Sequence, residues 1–199
     1  DILHLHAARG IFTGRLVSLF CRKIYKMDFK IVSSSHGLWL PSKKDNFAFR
    51  FLMHYKKELD DVTIAVSENS RRELVTIGYN PEKVYTIYNG IDFKVFDAFR
   101  EVKKKLKQLS FVGRFTEQKG ISYLLAALKE ISRDYCVNIF GDGELKDYIS
   151  DFIERNKLIN VRLCGFSENV GEVFKKTDLL LAPSINEGLP YTLIEASNC

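Results

Sequence analysis

The segment Glu187-Gly-Leu-Pro-Tyr-Thr-Leu-Ile-Glu195 places two carboxylates eight positions apart around a glycine and a proline. Proline suits the first turn of a helix, where its missing N–H is not needed. The spacing predicts a helix that starts near Pro190, with Glu187 just ahead of it and Glu195 in its second turn. A helix start offers unpaired N–H groups and the positive end of a dipole, which suit a phosphate. The flanking carboxylates accept hydrogen bonds from hydroxyls. A diphosphate with a sugar-like ring at each end uses all three elements, and a nucleotide sugar is such a molecule.

Three further segments have the chemistry of the same ligand. In Val112-Gly113-Arg114-Phe115-Thr116-Glu117-Gln118-Lys119-Gly120, a predicted strand runs into a loop with two cations. Arg114 can meet phosphate oxygens as a fork and Lys119 as a compact charge; on their own they read equally as exposed surface cations. Gly141-Asp142-Gly143 follows another strand, and its glycines let the backbone turn sharply or approach a ligand closely. Asp142 alone reads as a helix cap. Leu163-Cys164-Gly165-Phe166 ends a third strand at glycine, where backbone groups can reach a nucleobase edge; taken alone it is a plain strand-to-helix turn.

The elements that must position these residues alternate along the chain. Strands are predicted at Ile2–Leu5, Lys30–Ser33, Val62–Val66, Val84–Ile87, Leu109–Val112, Cys136–Phe140, Val161–Leu163 and Leu179–Leu181. Helices are predicted at Arg15–Lys26, Asn46–Lys57, from a Ser67 cap to Thr76 with Gly78 as the stop, and at Gly120–Ile131, Glu144–Asn156 and Val170–Lys176. The strands are continuous apolar runs, as in parallel sheets covered on both faces. Repeated strand-helix units of this kind predict an α/β chain of two Rossmann-like doubly wound parallel-sheet domains. Residues 1–96 form the first, 108–199 the second, and the charged stretch 97–107 the linker. Ligands of such folds lie beyond the carboxyl ends of the strands.

Composition bounds the class. With 46% hydrophobic and 28% charged residues the chain is an ordinary globular protein. No apolar run reaches the roughly 18 residues of a membrane-spanning helix. The N-terminus has no initiator Met and no basic leader, reading as a strand already under way, and Cys199 is expected inside the helix opened at Pro190. Cys21, Cys136, Cys164 and Cys199 contain no C-x-x-C pair, and buried free thiols in a reducing compartment are expected. The net charge of +5 lies entirely in residues 1–96, with 15 basic against 10 acidic residues. The second half is neutral and has no basic stripe with interleaved aromatics, which argues against nucleic acid. No Asp-x-Asp element stands where a metal-bridged diphosphate needs one, and His4 and His6, on one strand face, read as structural.

Together these motifs resemble the retaining glycosyltransferases of family 4, which have the two-domain GT-B fold. Val112-Gly113-Arg114 with Lys119-Gly120, Gly141-Asp142-Gly143, Gly165 and the E-x7-E segment follow the family's order and spacing. Ala65-Val66-Ser67-Glu68 leading to Leu74 and Gly78, then Asn89-Gly90-Ile91-Asp92 and Phe96, follows its pattern in the first half. His36-Gly37 matches the loop where such enzymes carry an active-site histidine.

The resemblance implies transfer of a sugar from a nucleotide diphosphate sugar to an acceptor hydroxyl with retention, by a hexosyltransferase-type enzyme of cell-surface polysaccharide or glycolipid synthesis. It implies an acceptor-side first domain and a nucleotide-sugar-binding second domain, each present only in part. Arg114 and Lys119 are the expected cations for the leaving diphosphate. Gly188, Leu189 and Tyr191 are candidate amide donors, with Pro190 lacking one. Glu187 is expected to hold hydroxyls of the transferred sugar, Glu195 those of the ribose, and His36 to bond the sugar or the phosphate. Gly113, Gly141, Gly143, Gly165 and Phe166 complete the donor site. No cofactor and no metal ion are expected. The expected partners are the donor and a glycan or lipid-linked acceptor, with cytoplasmic location. The basic first half, through the helices Arg15–Lys26 and Asn46–Lys57, offers peripheral membrane contact, and these helices read equally as amphipathic helices packed on the sheet. A GT-B-type epimerase, or a fragment that binds nucleotide sugar without turnover, is the alternative; a phosphorylase needs a pyridoxal lysine, and none is recognisable.

Overall fold

The computed structural model describes residues 1–36, 51, 53–92 and 105–199. The chain divides into two compact units, Asp1–Asn89 with Glu187–Leu189, and Gly90–Asn186 with Pro190–Cys199. Residues 46–50 and 52 of the predicted helix Asn46–Lys57 lie outside the described residues, as do Gly37, Phe96 and residues 97–104 of the predicted linker.

In the first unit, β1 (Ile2–His6), β2 (Lys30–Ser35), β3 (Val62–Ala65) and β4 (Val84–Thr86) form a parallel sheet in the order β1-β2-β3-β4. Helix α1 (Ala7–Tyr25) leaves β1 directly, eight residues earlier than its sequence predicts. Its first turns hold Gly10 and Gly14, which weaken helix propensity. At Gly14 the deficit has a use, because a Cβ there would lie 2.2 Å from Leu5 Cδ2. The glycine lets α1 sit close on β1. Helix α2 (Glu68–Thr76) starts as predicted, with the Ser67 hydroxyl accepting from the Ser70 N–H at 3.1 Å, and the chain turns away through Gly78 at φ 91°. Leu5, Ile11, Ile31, Ala65, Leu74 and Val84 build the core.

In the second unit, β5 (Gln108–Val112), β6 (Cys136–Phe140), β7 (Val161–Gly165) and β8 (Leu179–Leu180) form a parallel sheet in the order β7-β6-β5-β8. Helices α3 (Ile121–Leu128), α4 (Lys146–Arg155), α5 (Val170–Lys176) and α6 (Tyr191–Ala196) follow the strands. Helix α3 buries Ile121, Leu124, Leu125 and Leu128, the spacing of one helix face. These side chains meet Leu109, Phe111, Val137, Ile139 and Ile149 in one core. Two Rossmann-like parallel α/β units are therefore present, as the strand-helix rhythm predicts.

Two local expectations are corrected. Helix α6 ends at Ala196, and Cys199 lies beyond it rather than inside. The four thiols are free but not buried: Cys164 is exposed and the others are half-buried. Cys164 stands on β7, at the rim of the sheet, where no further strand covers it among the described residues.

Candidate functional site

In the second unit, the loops after β5, β6 and β7 meet at the carboxyl ends of the strands. The Gly113 N–H donates to the Phe140 carbonyl at 3.1 Å, Phe115 to Asp142 at 2.9 Å, and Gly141 to Gly165 at 2.8 Å. Such close backbone approach requires glycine. A Cβ on Gly141 (φ 142°) would lie 1.9 Å from the Gly113 oxygen, and one on Gly143 (φ 153°) would lie 2.7 Å from the Phe115 oxygen. Phe115 is fully buried and anchors the first loop.

These loops enclose a cavity of about 310 Å³ lined by Val112, Gly113, Arg114, Phe140, Gly141, Asp142, Phe166, Ser167 and Val170. It brings together four residues selected from the sequence: Gly113, Arg114, Gly141 and Phe166. A larger cleft of about 810 Å³ runs past Gln108, Ser110, Asn138 and Lys175. It contains none of the selected residues, and we favour the smaller cavity because it lies where ligands of parallel sheets bind.

The side chains around the cavity differ in how they are engaged. Arg114 is exposed and makes no hydrogen bond or ion pair among the described residues. Asp142 is committed locally: its carboxylate accepts from the Gly143 N–H at 2.9 Å and from Lys146 Nζ at 3.4 Å. These two contacts, the backbone one first, hold its carboxyl below the usual range. Phe166 is 74% exposed, leaving its ring face open. Lys119 runs beside Gly113, its Cδ 3.7 Å from where a Cβ on that glycine would stand.

Lys119 lies in a short 3-10 turn, Glu117–Lys119, that ends at Gly120 with φ 68°. A Cβ on Gly120 would lie 2.0 Å from the Pro183 oxygen. The Ile185 N–H donates to the Gln118 carbonyl at 2.9 Å, and Gln118 Nε2 donates to the Asn186 carbonyl at 3.1 Å. The Lys119 turn is thus laced to the segment leading into Glu187. Glu187, Gly188 and Leu189 group with the first unit. Pro190 caps α6 from outside rather than forming its first residue, with φ −74° and ψ 121°. Glu195 sits in the second turn of α6, half-buried, and burial pushes its carboxyl above the usual range. Its side chain has no hydrogen-bond partner among the described residues, a condition that ligand hydroxyls can relieve.

In the first unit, His36 follows the carboxyl end of β2. Its Nε2 lies 3.2 Å from Nδ1 of His6, the last residue of β1. The two rings stack with centroids 5.5 Å apart, and His4 lies 4.2 Å from His6. His4 Nε2 is 2.8 Å from Ser34 Oγ. Loss of hydration, and then the His6 and His4 rings, hold His36 below the ordinary imidazole range. The two histidines set aside as structural are thus neighbours of His36. The available signal was their i, i+2 spacing up to the end of a strand adjoining the one before His36.

The profile of Glycosyltransferase Family 4 matches residues 1–95, and that of Glycosyl transferases group 1 matches residues 92–199. An uncharacterized glycosyltransferase of Methanocaldococcus jannaschii, MJ1607, is 28% identical over 98% of the chain and 55% of its own length. The Escherichia coli UDP-Gal:alpha-D-GlcNAc-diphosphoundecaprenol alpha-1,3-galactosyltransferase is 26% identical over 100% of the chain and 55% of its own length. The crystal structure of Anabaena HepE with UDP and glucose superposes with a TM-score of 0.82 at 20% identity, covering 100% of the chain and 57% of that protein. The chain thus spans about half the length of the curated relatives it matches. The second profile covers more than half of the chain, which therefore belongs to the glycosyl transferases group 1 family, with the GT-B fold.

Proposed function

We propose that this chain belongs to a retaining glycosyltransferase that moves a sugar from a nucleotide diphosphate sugar to an acceptor hydroxyl in polysaccharide or glycolipid synthesis. The observation that carries the reading is the cavity at the carboxyl ends of β5, β6 and β7, with an uncommitted arginine and an open aromatic ring on its wall. Developing negative charge on a leaving diphosphate needs fixed cations and N–H donors. Arg114 and Lys119 supply the cations, and the amides of Gly188, Leu189 and Tyr191 the donors. Gly113, Gly141, Gly143 and Gly165 let backbone approach the nucleotide, and Phe166 stacks against its base. Glu187 holds the transferred sugar and Glu195 the ribose. His36 bonds the sugar or the diphosphate. Relatives whose names specify UDP-galactose or a diphospho-undecaprenol acceptor support the donor and acceptor classes.

The test is a transfer assay on the full gene product with a panel of nucleotide sugars and a lipid-linked acceptor. Transfer with retained anomeric configuration in the product is the expected result; inversion overturns the retaining assignment. Activity is expected to persist in excess chelator. Loss restored by Mg²⁺ or Mn²⁺ would sink the metal-free reading.

We also read α1 as a contact for an anionic membrane. No helix among the described residues is long and apolar enough to cross one. Val17, Phe20, Ile24 and Tyr25 are exposed on α1, with Arg22 and Lys23 in its last turn, a combination that suits interfacial binding. Arg15, which the sequence places in the same basic helix, is fully buried and takes no part. Flotation with anionic vesicles at low salt is expected to carry the protein upward, and absence of binding removes this reading.

A further inference from the structure

We propose that His6 is a positioning residue for His36, holding its ring in the tautomer that carries the proton on Nδ1 and so presents an N–H donor to the ligand. The proposal rests on the glycosyltransferase reading for the identity of that ligand, an oxygen of the sugar or of the diphosphate. It rests on the structure for the contact itself.

His6 and His36 stand at the carboxyl ends of neighbouring parallel strands, where His6 pairs in register with Ser34, two residues before His36. Nδ1 of His6 is 3.2 Å from Nε2 of His36, and the rings are stacked at 26°. Which ring nitrogen of a histidine carries its proton is set by the hydrogen bond that the other nitrogen makes. Either ring can donate across this contact; we assign the proton to His6 Nδ1, so that His36 Nε2 accepts and its Nδ1 carries the proton. Among the described residues, Nδ1 of His36 has no hydrogen-bond partner, so it is the nitrogen left for a ligand.

His4 extends the arrangement. It lies against His6, with ring centroids 4.2 Å apart, and is tied to the buried Ser34 hydroxyl at 2.8 Å. Burial first, and then the neighbouring imidazoles, hold His36 and His4 below the ordinary imidazole range. A neutral ring with a fixed tautomer is a directed donor. A ring free to exchange tautomers, or to protonate, is not.

The test uses the full gene product with His6→Ala and His6→Asn, read by side-chain nitrogen NMR of His36 and by steady-state kinetics. Wild type is expected to show His36 protonated on Nδ1. His6→Ala should shift it toward protonation on Nε2, the form preferred by a free side chain. In the same variant kcat should fall about 10- to 100-fold, less than the 10²–10⁴ that a proton-transfer group itself contributes, with donor KM within about threefold. His6→Asn, whose amide can still donate to Nε2, should restore much of the spectrum and of kcat. An unchanged His36 tautomer in His6→Ala overturns the proposal, as does full activity in that variant. If wild type transfers no sugar but the tautomer still moves, the positioning stands and the assignment of the reaction falls.

Discussion

Replacing Asp60 by alanine is expected to destabilise the first unit by about 3–5 kcal/mol, because it strands the Arg15 guanidinium as an unpaired charge in the core. Arg15 and Asp60 are 0% and 2% exposed. Nε and Nη2 of Arg15 donate to the two carboxylate oxygens at 2.8 and 2.5 Å, a bidentate pair. Arg15 Nη1 also donates to the Met53 and Tyr55 carbonyls at 2.6 and 3.1 Å. On the other side, the Ser33 hydroxyl donates to the Asp60 carboxylate at 2.6 Å. Breaking such a pair costs far more than breaking an exposed one. Lys30–Asp61, with side chains 72% and 33% exposed, falls in the range of about 0–1 kcal/mol. For a domain of 60–100 residues each kcal/mol is about 4–8 °C in melting temperature. Asp60→Ala should therefore melt about 12 °C or more below wild type by circular dichroism. A loss under about 1 kcal/mol would show that the pair does not anchor the unit. Combining Arg15→Met with Asp60→Leu removes both charges, so it should cost less than the sum of its two parts.

This network also shows where reading the sequence stops. In the sequence Arg15 is one more cation at the start of the predicted helix Arg15–Lys26, and its partner lies 45 residues away. Local periodicity has no access to a contact at that range. The same limit hid the first two turns of α1, where Gly10 and Gly14 argue against a helix until Leu5 is seen packed against the space a Cβ would fill. The strands were legible because continuous apolar runs can be buried only one way in a parallel sheet. The donor-side cavity was legible for a related reason. Each of its loops begins where an apolar run meets glycine, as at Gly113, Gly141 and Gly165. His6 was not, because alternation on a strand places a residue on a face without revealing which ring on the next strand it meets.

Arg114→Ala is expected to lower kcat about 10²–10³-fold in the full gene product, the usual cost of removing one fixed donor from developing negative charge, about 2.7–4 kcal/mol. The geometry explains why one side chain can matter that much. Gly113 before it is tied to Phe140, and the buried Phe115 after it is tied to Asp142. The guanidinium thus projects from a backbone pivot fixed on both sides, which limits the reorganisation needed when charge appears. No intramolecular partner among the described residues is lost with the side chain. Stability should then change by no more than about 0.5 kcal/mol, as for other surface substitutions. That separation makes the variant informative, because a fall in kcat with an unchanged melt cannot be assigned to unfolding. Arg114→Lys keeps the charge but loses the fork, so its activity should lie between those of alanine and wild type. Glu187→Ala should also lower kcat/KM, and for a different reason: it removes the acceptor for sugar hydroxyls, so the loss should shrink for a donor lacking the hydroxyl it holds. Turnover near wild type with either Arg114→Ala or Glu187→Ala would mean that the diphosphate and its sugar bind elsewhere on the chain.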